Sequence, residues 1–108
     1  MNLRNFFLYS FIGIFFSIPI SANIDQLVLK PGFEISIFAD DLDSPRQMAQ
    51  GDNGTIFVGE RTGQIVALFD SDGNGQVDSK RVIADSLNYS TGVSIFNGDL
   101  YFSEISKI

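Results

Sequence analysis

NGTIFVGE (residues 53–60) and NGDLYFSE (residues 97–104) stand 44 positions apart. Aligned, they place Ile56 over Leu100, Phe57 over Tyr101, Val58 over Phe102, Gly59 over Ser103 and Glu60 over Glu104, behind a shared Asn-Gly. Asn-Gly beside short apolar runs is a strong hairpin signal, because both residues tolerate the positive φ of a tight turn. A hairpin that recurs every 40–45 residues or so, a length that holds four short strands, marks a β-propeller blade.

Working outward, the first repeat divides into strands near 46–50, 55–60, 64–69 and 80–86, the last two joined by the loop DSDGNGQVDSK. The second opens near Thr91 with TGVSIF (91–96) and DLYFSE (99–104); further on, SKI (106–108) answers GQI (63–65) one residue out of step. No window carries a helical apolar face, so the chain is expected to be all-β. Upstream, LVLKPGFEISIFAD (27–40) alternates Phe33, Ile35 and Ile37 with Glu34 and Ser36. That period of two predicts a strand, suited to close a propeller ring as the outer strand of its last blade.

The reading is therefore a partial β-propeller of about one and a half blades plus a closing strand. A propeller needs roughly four blades or more, and stacked repeats need about three units before their core is continuous. Residues 23–108 thus read as the N-terminal part of a longer propeller domain, truncated in its second blade. A small self-contained β-sandwich is the alternative.

The first residues follow a different logic. Arg4, the apolar run Phe6–Ile20 and the small pair Ser21-Ala22 give the order of a secretory signal peptide over residues 1–22. The apolar run is shorter than the roughly 20 residues of a spanning helix, so no stable membrane span is expected after cleavage. A periplasmic or secreted location follows. Without Arg4 the chain keeps six basic and thirteen acidic residues, a net charge of −7. So acidic a surface disfavours nucleic acid as a partner. With no cysteine, no disulfide can staple the exported chain.

Asp70, Asp72, Asn74, Gln76 and Asp78 bring oxygen ligands at alternate positions around Gly75, in the order of a calcium loop. Gln76 would offer its backbone carbonyl. Position 12 of such a loop is a bidentate Glu; here it is Arg81, and no flanking helices are expected, so this is not an EF-hand. Two readings stand: a helix-free structural calcium hairpin, or a turn whose Asp and Asn side chains cap their own backbone.

With the repeat and the loop placed, the chain resembles the N-terminal region of soluble quinoprotein sugar dehydrogenases of the L-sorbosone or aldose dehydrogenase type. The likeness rests on PGFEI (31–35), SPRQMA (44–49), DNGTIFVGER (52–61), the DGNG loop (72–75) and NGDLYFSEISKI (97–108). It implies a six-bladed propeller that binds pyrroloquinoline quinone (PQQ) near its axis, with calcium activating the cofactor. A histidine would accept the proton of a sugar hydroxyl as hydride passes to the quinone, and an electron acceptor would reoxidise it. Two departures stand out. Ser90-Thr91-Gly92-Val93 replaces the Pro-Asn-Gly-Val that the family commonly carries, and the chain has no histidine. The resemblance puts the residues that hold PQQ and its calcium outside residues 1–108, so no catalytic or PQQ-binding residue is assigned here and no activity is expected of these residues alone.

Other residues read more plainly. Glu60 and Glu104 recur at one blade position and are expected to tie sheet ends by hydrogen bonds rather than to form an acid–base pair. Arg46 is expected either in a central channel or paired with Asp41 or Asp43. Phe57, Phe69, Tyr101 and Phe102 are expected to pack between blades. Against the dehydrogenase stand a six-bladed lactonase-type hydrolase and a calcium-stabilised, non-enzymatic adhesion or recognition propeller; the latter predicts a DGNG loop in every repeat.

Overall fold

The computed structural model describes residues 24–108. The expected signal peptide at 1–22 lies outside the described residues. The chain divides into two units, one ending at Phe33 and one spanning Glu34–Ile108.

Within the first unit, Ile24–Gln26 forms a single 3-10 turn closed by the Leu27 N–H on the Ile24 carbonyl at 3.1 Å. A tight turn then runs Lys30–Phe33, its Phe33 N–H bonded to the Lys30 carbonyl at 3.2 Å. Pro31 presets φ for the first central position, and Gly32 takes φ +91°, which the second central position of this turn requires.

All strands lie in the second unit: β1 (Pro45–Gln50), β2 (Ile56–Glu60), β3 (Gln64–Phe69), β4 (Ser79–Ala84), β5 (Gly92–Phe96) and β6 (Asp99–Ser103). The first four form one antiparallel sheet in the order β1-β2-β3-β4; the last two form a second antiparallel sheet. Each joins its neighbour in sequence, as short turns between antiparallel strands require. The fold is all-β, with no helix among the described residues long and apolar enough to cross a membrane.

The two Asn-Gly turns differ in length. In the second, Asn97 (φ +53°) and Gly98 (φ +82°) alone link the paired Phe96 and Asp99, a two-residue turn of type I′. In the first, Gly51 donates to the Thr55 carbonyl at 2.9 Å across Asp52-Asn53-Gly54, and the Asn53 side chain accepts the Thr55 N–H at 3.2 Å. That loop is one residue longer. Structural equivalence therefore runs at 44 residues after the hairpin and at 45 before it: the pair Gln47–Gly59 recurs as Gly92–Ser103. Ser44 (φ +54°) and Tyr89 (φ +60°), 45 apart, share a left-handed backbone just before β1 and β5.

Alternation gives the first sheet two apolar faces. On one, Val58, Val66 and Leu68 are buried, with Phe38, Ala39, Leu42, Ile56 and Val77 packed against them. The other carries Gly59, its partner Ile65 and Ala67, the last two buried. On this second face sits β5. A Cβ at Gly59 would lie 2.9 Å from Val93 Cγ2 and 3.3 Å from Ser90 Oγ, so only glycine admits the approach. The Gln47 side chain accepts the Val93 N–H at 3.4 Å and ties the sheets together.

Two expectations change. Residues 27–40 form no strand. Their alternation is real, but a strand also needs a neighbouring strand for its N–H and C=O groups; here the Phe38 carbonyl accepts the N–H of Val77, a loop residue, at 3.0 Å and no ladder forms. In addition, β4 stops at Ala84 rather than 86, because Ser86 turns left-handed (φ +57°). The third strand of the second repeat is present only as the Glu104–Lys107 bridge, which answers the Glu60–Gln64 pair one residue early, as the shifted SKI predicts.

Candidate metal centre

The loop between β3 and β4 is built by its own acidic side chains. The Asp78 N–H closes it on the Phe69 carbonyl at 2.8 Å. Asp70 accepts the N–H groups of Asn74 (Oδ1, 3.1 Å) and Gly75 (Oδ2, 2.9 Å). Asp72 accepts the Asn74 N–H at 3.1 Å, and Asp78 accepts that of Ser71 at 2.5 Å. Gly73 (φ +72°) and Gly75 (φ +84°) supply the reversals that fold the carboxylates inward.

The result places one carboxylate oxygen each from Asp70, Asp72 and Asp78 within 4.8 Å of one another. A calcium ion takes oxygen ligands at about 2.3–2.6 Å, so ligands across the ion lie up to about 5 Å apart. The three fit. The Gly75 N–H, first among several donors, holds the Asp70 carboxyl below its usual range, so it stays ionised at neutral pH.

The other two expected ligands behave differently. Asn74 turns its Oδ1 to the Gln76 N–H at 2.8 Å and its Nδ2 to Asp72 at 3.2 Å. It is a strut for the loop in this arrangement. Gln76 takes part through that N–H. Arg81 sits over the Phe69 ring, 5.8 Å from its centre, and cannot replace the missing bidentate Glu. Lys80, the other nearby cation, is held by Asp41, at 2.9 Å from the carboxylate and 2.6 Å from the backbone carbonyl. That pair lowers the Asp41 pKa and raises that of Lys80. Asp41 is therefore Lys80's partner rather than Arg46's; Arg46 borders an apolar groove with Met48 and Ile56.

Glu60 and Glu104 are not assembled into a catalytic pair. Each caps a loop: Glu60 accepts the Asp43 N–H at 2.8 Å and Glu104 the Asn88 N–H at 2.6 Å. The last two donors are themselves 45 residues apart, a repeat that the 44-residue alignment hides.

No curated protein and no solved structure matches the chain. Residues 19–108 match the family model described as Domain of unknown function (DUF7133), and since that match covers most of the chain, the protein belongs to the DUF7133 family.

Proposed function

We propose that this chain is the N-terminal blade region of an exported β-propeller quinoprotein that oxidises aldoses or related sugars, and that its Asp70–Asp78 loop is a structural calcium site. The observation that carries the reading is the four-stranded antiparallel meander whose Gly59 face receives the first strand of the next repeat, 45 residues on. Successive sheets stacked face to face are what a propeller requires.

On this reading PQQ is held by residues other than the described ones. Their one convergent acidic set is the loop between β3 and β4, and its carboxylates already brace the loop backbone. The chain contributes scaffold: stacked sheets, capped loops and a site for a divalent cation. The test is to produce the protein from its complete reading frame, supply PQQ and calcium, and follow aldose oxidation with an artificial electron-accepting dye. Oxidation that needs both supports the proposal; a protein that binds calcium and oxidises no aldose overturns the enzyme.

The convergence of three carboxylates favours a second reading, the calcium-stabilised recognition propeller. It predicts an Asp-Gly-Asn-Gly loop after the third strand of each further repeat.

A further inference from the structure

The chain carries three Asn-Gly pairs: Asn53-Gly54, Asn74-Gly75 and Asn97-Gly98. Such a pair has a chemistry of its own, one reason asparagine counts as thermolabile. The backbone nitrogen after an asparagine attacks that residue's side-chain carbonyl, and glycine, with no Cβ, hinders the attack least. As the glycine nitrogen bonds to Cγ it gives up its proton, the Cγ–Nδ2 bond breaks, and Nδ2 leaves with that proton as ammonia. A five-membered succinimide remains. Water then opens the ring at either carbonyl, to aspartate or to isoaspartate, whose main chain runs through Cβ. One water enters and one ammonia leaves, with no other reactant.

The sequence treats the three pairs alike; the fold does not. Space does not separate them, since a Cβ at Gly54, Gly75 or Gly98 would meet nothing within 4 Å. Hydrogen bonds do. Gly54 gives its N–H to the Gly51 carbonyl at 2.9 Å, and Asn53 Oδ1 accepts the Thr55 N–H at 3.2 Å. Gly75 gives its N–H to Asp70 Oδ2 at 2.9 Å. The Asn74 amide is held at both ends, Oδ1 by the Gln76 N–H at 2.8 Å and Nδ2 on Asp72 at 3.2 Å. In both pairs the attacking nitrogen and the amide it would attack are tied to other groups. At the third pair neither is tied. Among the described residues the Gly98 N–H meets no acceptor and the Asn97 side chain makes no hydrogen bond. Phe96, Asn97, Gly98 and Asp99 are all exposed, whereas Thr55, which closes the first turn, is buried.

We propose that Asn97 is a site of spontaneous modification: in the folded protein the Asn97-Gly98 pair closes to the succinimide and opens to isoaspartate and aspartate, while the fold protects the other two pairs. The two products differ in effect. Aspartate tolerates the left-handed φ of +53° as asparagine does, and adds only a charge beside Asp99. Isoaspartate puts one more carbon into the main chain of a two-residue turn, so Phe96 and Asp99 no longer pair in register. The strand that ends at Phe96 also carries Val93 onto the Gly59 face, so the change bears on the contact between the two sheets. None of this depends on sugar oxidation or on calcium.

The test incubates the protein from its complete reading frame in warm, mildly alkaline buffer made with heavy-oxygen water, folded and separately in urea, and maps the labelled peptides by mass spectrometry. In urea, where sequence alone acts, the three pairs are expected to convert at comparable rates. In the folded protein Asn97 is expected to convert on the order of tenfold faster than Asn53 or Asn74, since each of those must first break at least two hydrogen bonds. Asn97→Gly, which a type I′ turn accepts, should abolish the early release of ammonia. Equal rates in the fold, earlier conversion of Asn53 or Asn74, or an Asn97 that stays intact in the fold would each overturn the site. An equal lead for Asn97 in urea would overturn the protection.

Discussion

Glu60 Oε1 accepts the backbone N–H of Asp43 at 2.8 Å, fixing the loop that delivers the chain into β1. Glu60 is only 2% exposed, and the next residue of that loop, Ser44, holds a left-handed backbone that an L-residue adopts at a cost. The Arg61 N–H on the Ser44 carbonyl at 3.0 Å closes the same corner. Removing the carboxylate leaves the Asp43 donor without its acceptor and the strained residue with one brace fewer. Glu60→Ala is expected to destabilise by about 1–3 kcal/mol, the usual range for an orphaned donor. Glu60→Gln keeps an oxygen at the site and should lose less. Denaturant midpoints of the protein from its complete reading frame read both; equal midpoints for wild type and Glu60→Ala would remove the cap from the account.

Gly59 sets how closely the second repeat approaches the first. Its missing Cβ is the space into which Val93 Cγ2 fits, at 2.9 Å from where that atom would stand. Gly59→Ala is expected to cost on the order of 1–3 kcal/mol by overpacking. Val93→Ala alone opens a cavity and also destabilises. The double variant should be more stable than the sum of its parts predicts, because the truncation makes room for the added methyl. Strict additivity in a double-mutant cycle would mean that the two sheets do not meet there. Gly63→Ala has no such rescue: at φ +103° its Cβ would meet the Leu87 carbonyl carbon at 3.3 Å and the oxygen closer still.

Hydrophobic alternation and Asn-Gly chemistry made most of this legible. The four strands of the first repeat, the hairpin of the second and the loop that gathers Asp70, Asp72 and Asp78 all follow from local residue patterns. What failed depends on distant groups. Glu34–Ala39 has strand periodicity, but pairing is a property of two segments, and the backbone bond it receives, from the Val77 N–H to the Phe38 carbonyl, comes from a loop rather than a strand. The likeness of EISIFA (34–39) to SKRVIA (79–84), 45 positions on, is hidden for a plainer reason. The extra residue in the first hairpin shifts the repeat from 44 to 45 upstream, so an alignment carried back from Asn53 and Asn97 slips by one. The role of Asn74 was also invisible, since nothing in the sequence says whether its amide oxygen faces a cation or the Gln76 N–H.

Glu104 gives the fold an acid-sensitive corner. The Asn88 N–H, and after it Lys107 at 3.0 Å, hold its carboxyl below the usual value of 4.5. A lowered folded-state pKa means that the ionised form is favoured in the fold. Its stabilisation is complete above 4.5 and is lost as pH falls through the lowered value. Glu104→Gln should therefore flatten the acid side of the stability curve while barely changing its shape near neutrality. Urea midpoints between about pH 3 and pH 7 measure this. High salt should screen the Lys107 part and leave the backbone hydrogen bond, so part of the acid sensitivity should survive. If wild type and Glu104→Gln run parallel across the range, the corner carries no linkage.

Calcium decides between the two readings of the Asp70–Asp78 loop. Three carboxylates crowded within 4.8 Å repel one another, and a divalent cation would relieve that repulsion. With three carboxylates and no bidentate Glu, affinity should fall in the weak extracellular range, a Kd of about 10⁻⁴–10⁻³ M. At about 10 mM calcium and a Kd near 10⁻³ M, linkage gives roughly 1.4 kcal/mol of added stability. Calorimetric titration should show one site, and the melting temperature should rise with calcium and return on chelation. Asp70→Asn and Asp78→Asn are expected to abolish the rise. They also disturb the N–H groups of Asn74, Gly75 and Ser71, so each variant must be compared with and without calcium. A calcium-dependent loss identifies a ligand. A loss of equal size in both conditions, with no heat of binding in the wild type, identifies a turn that its aspartates merely brace.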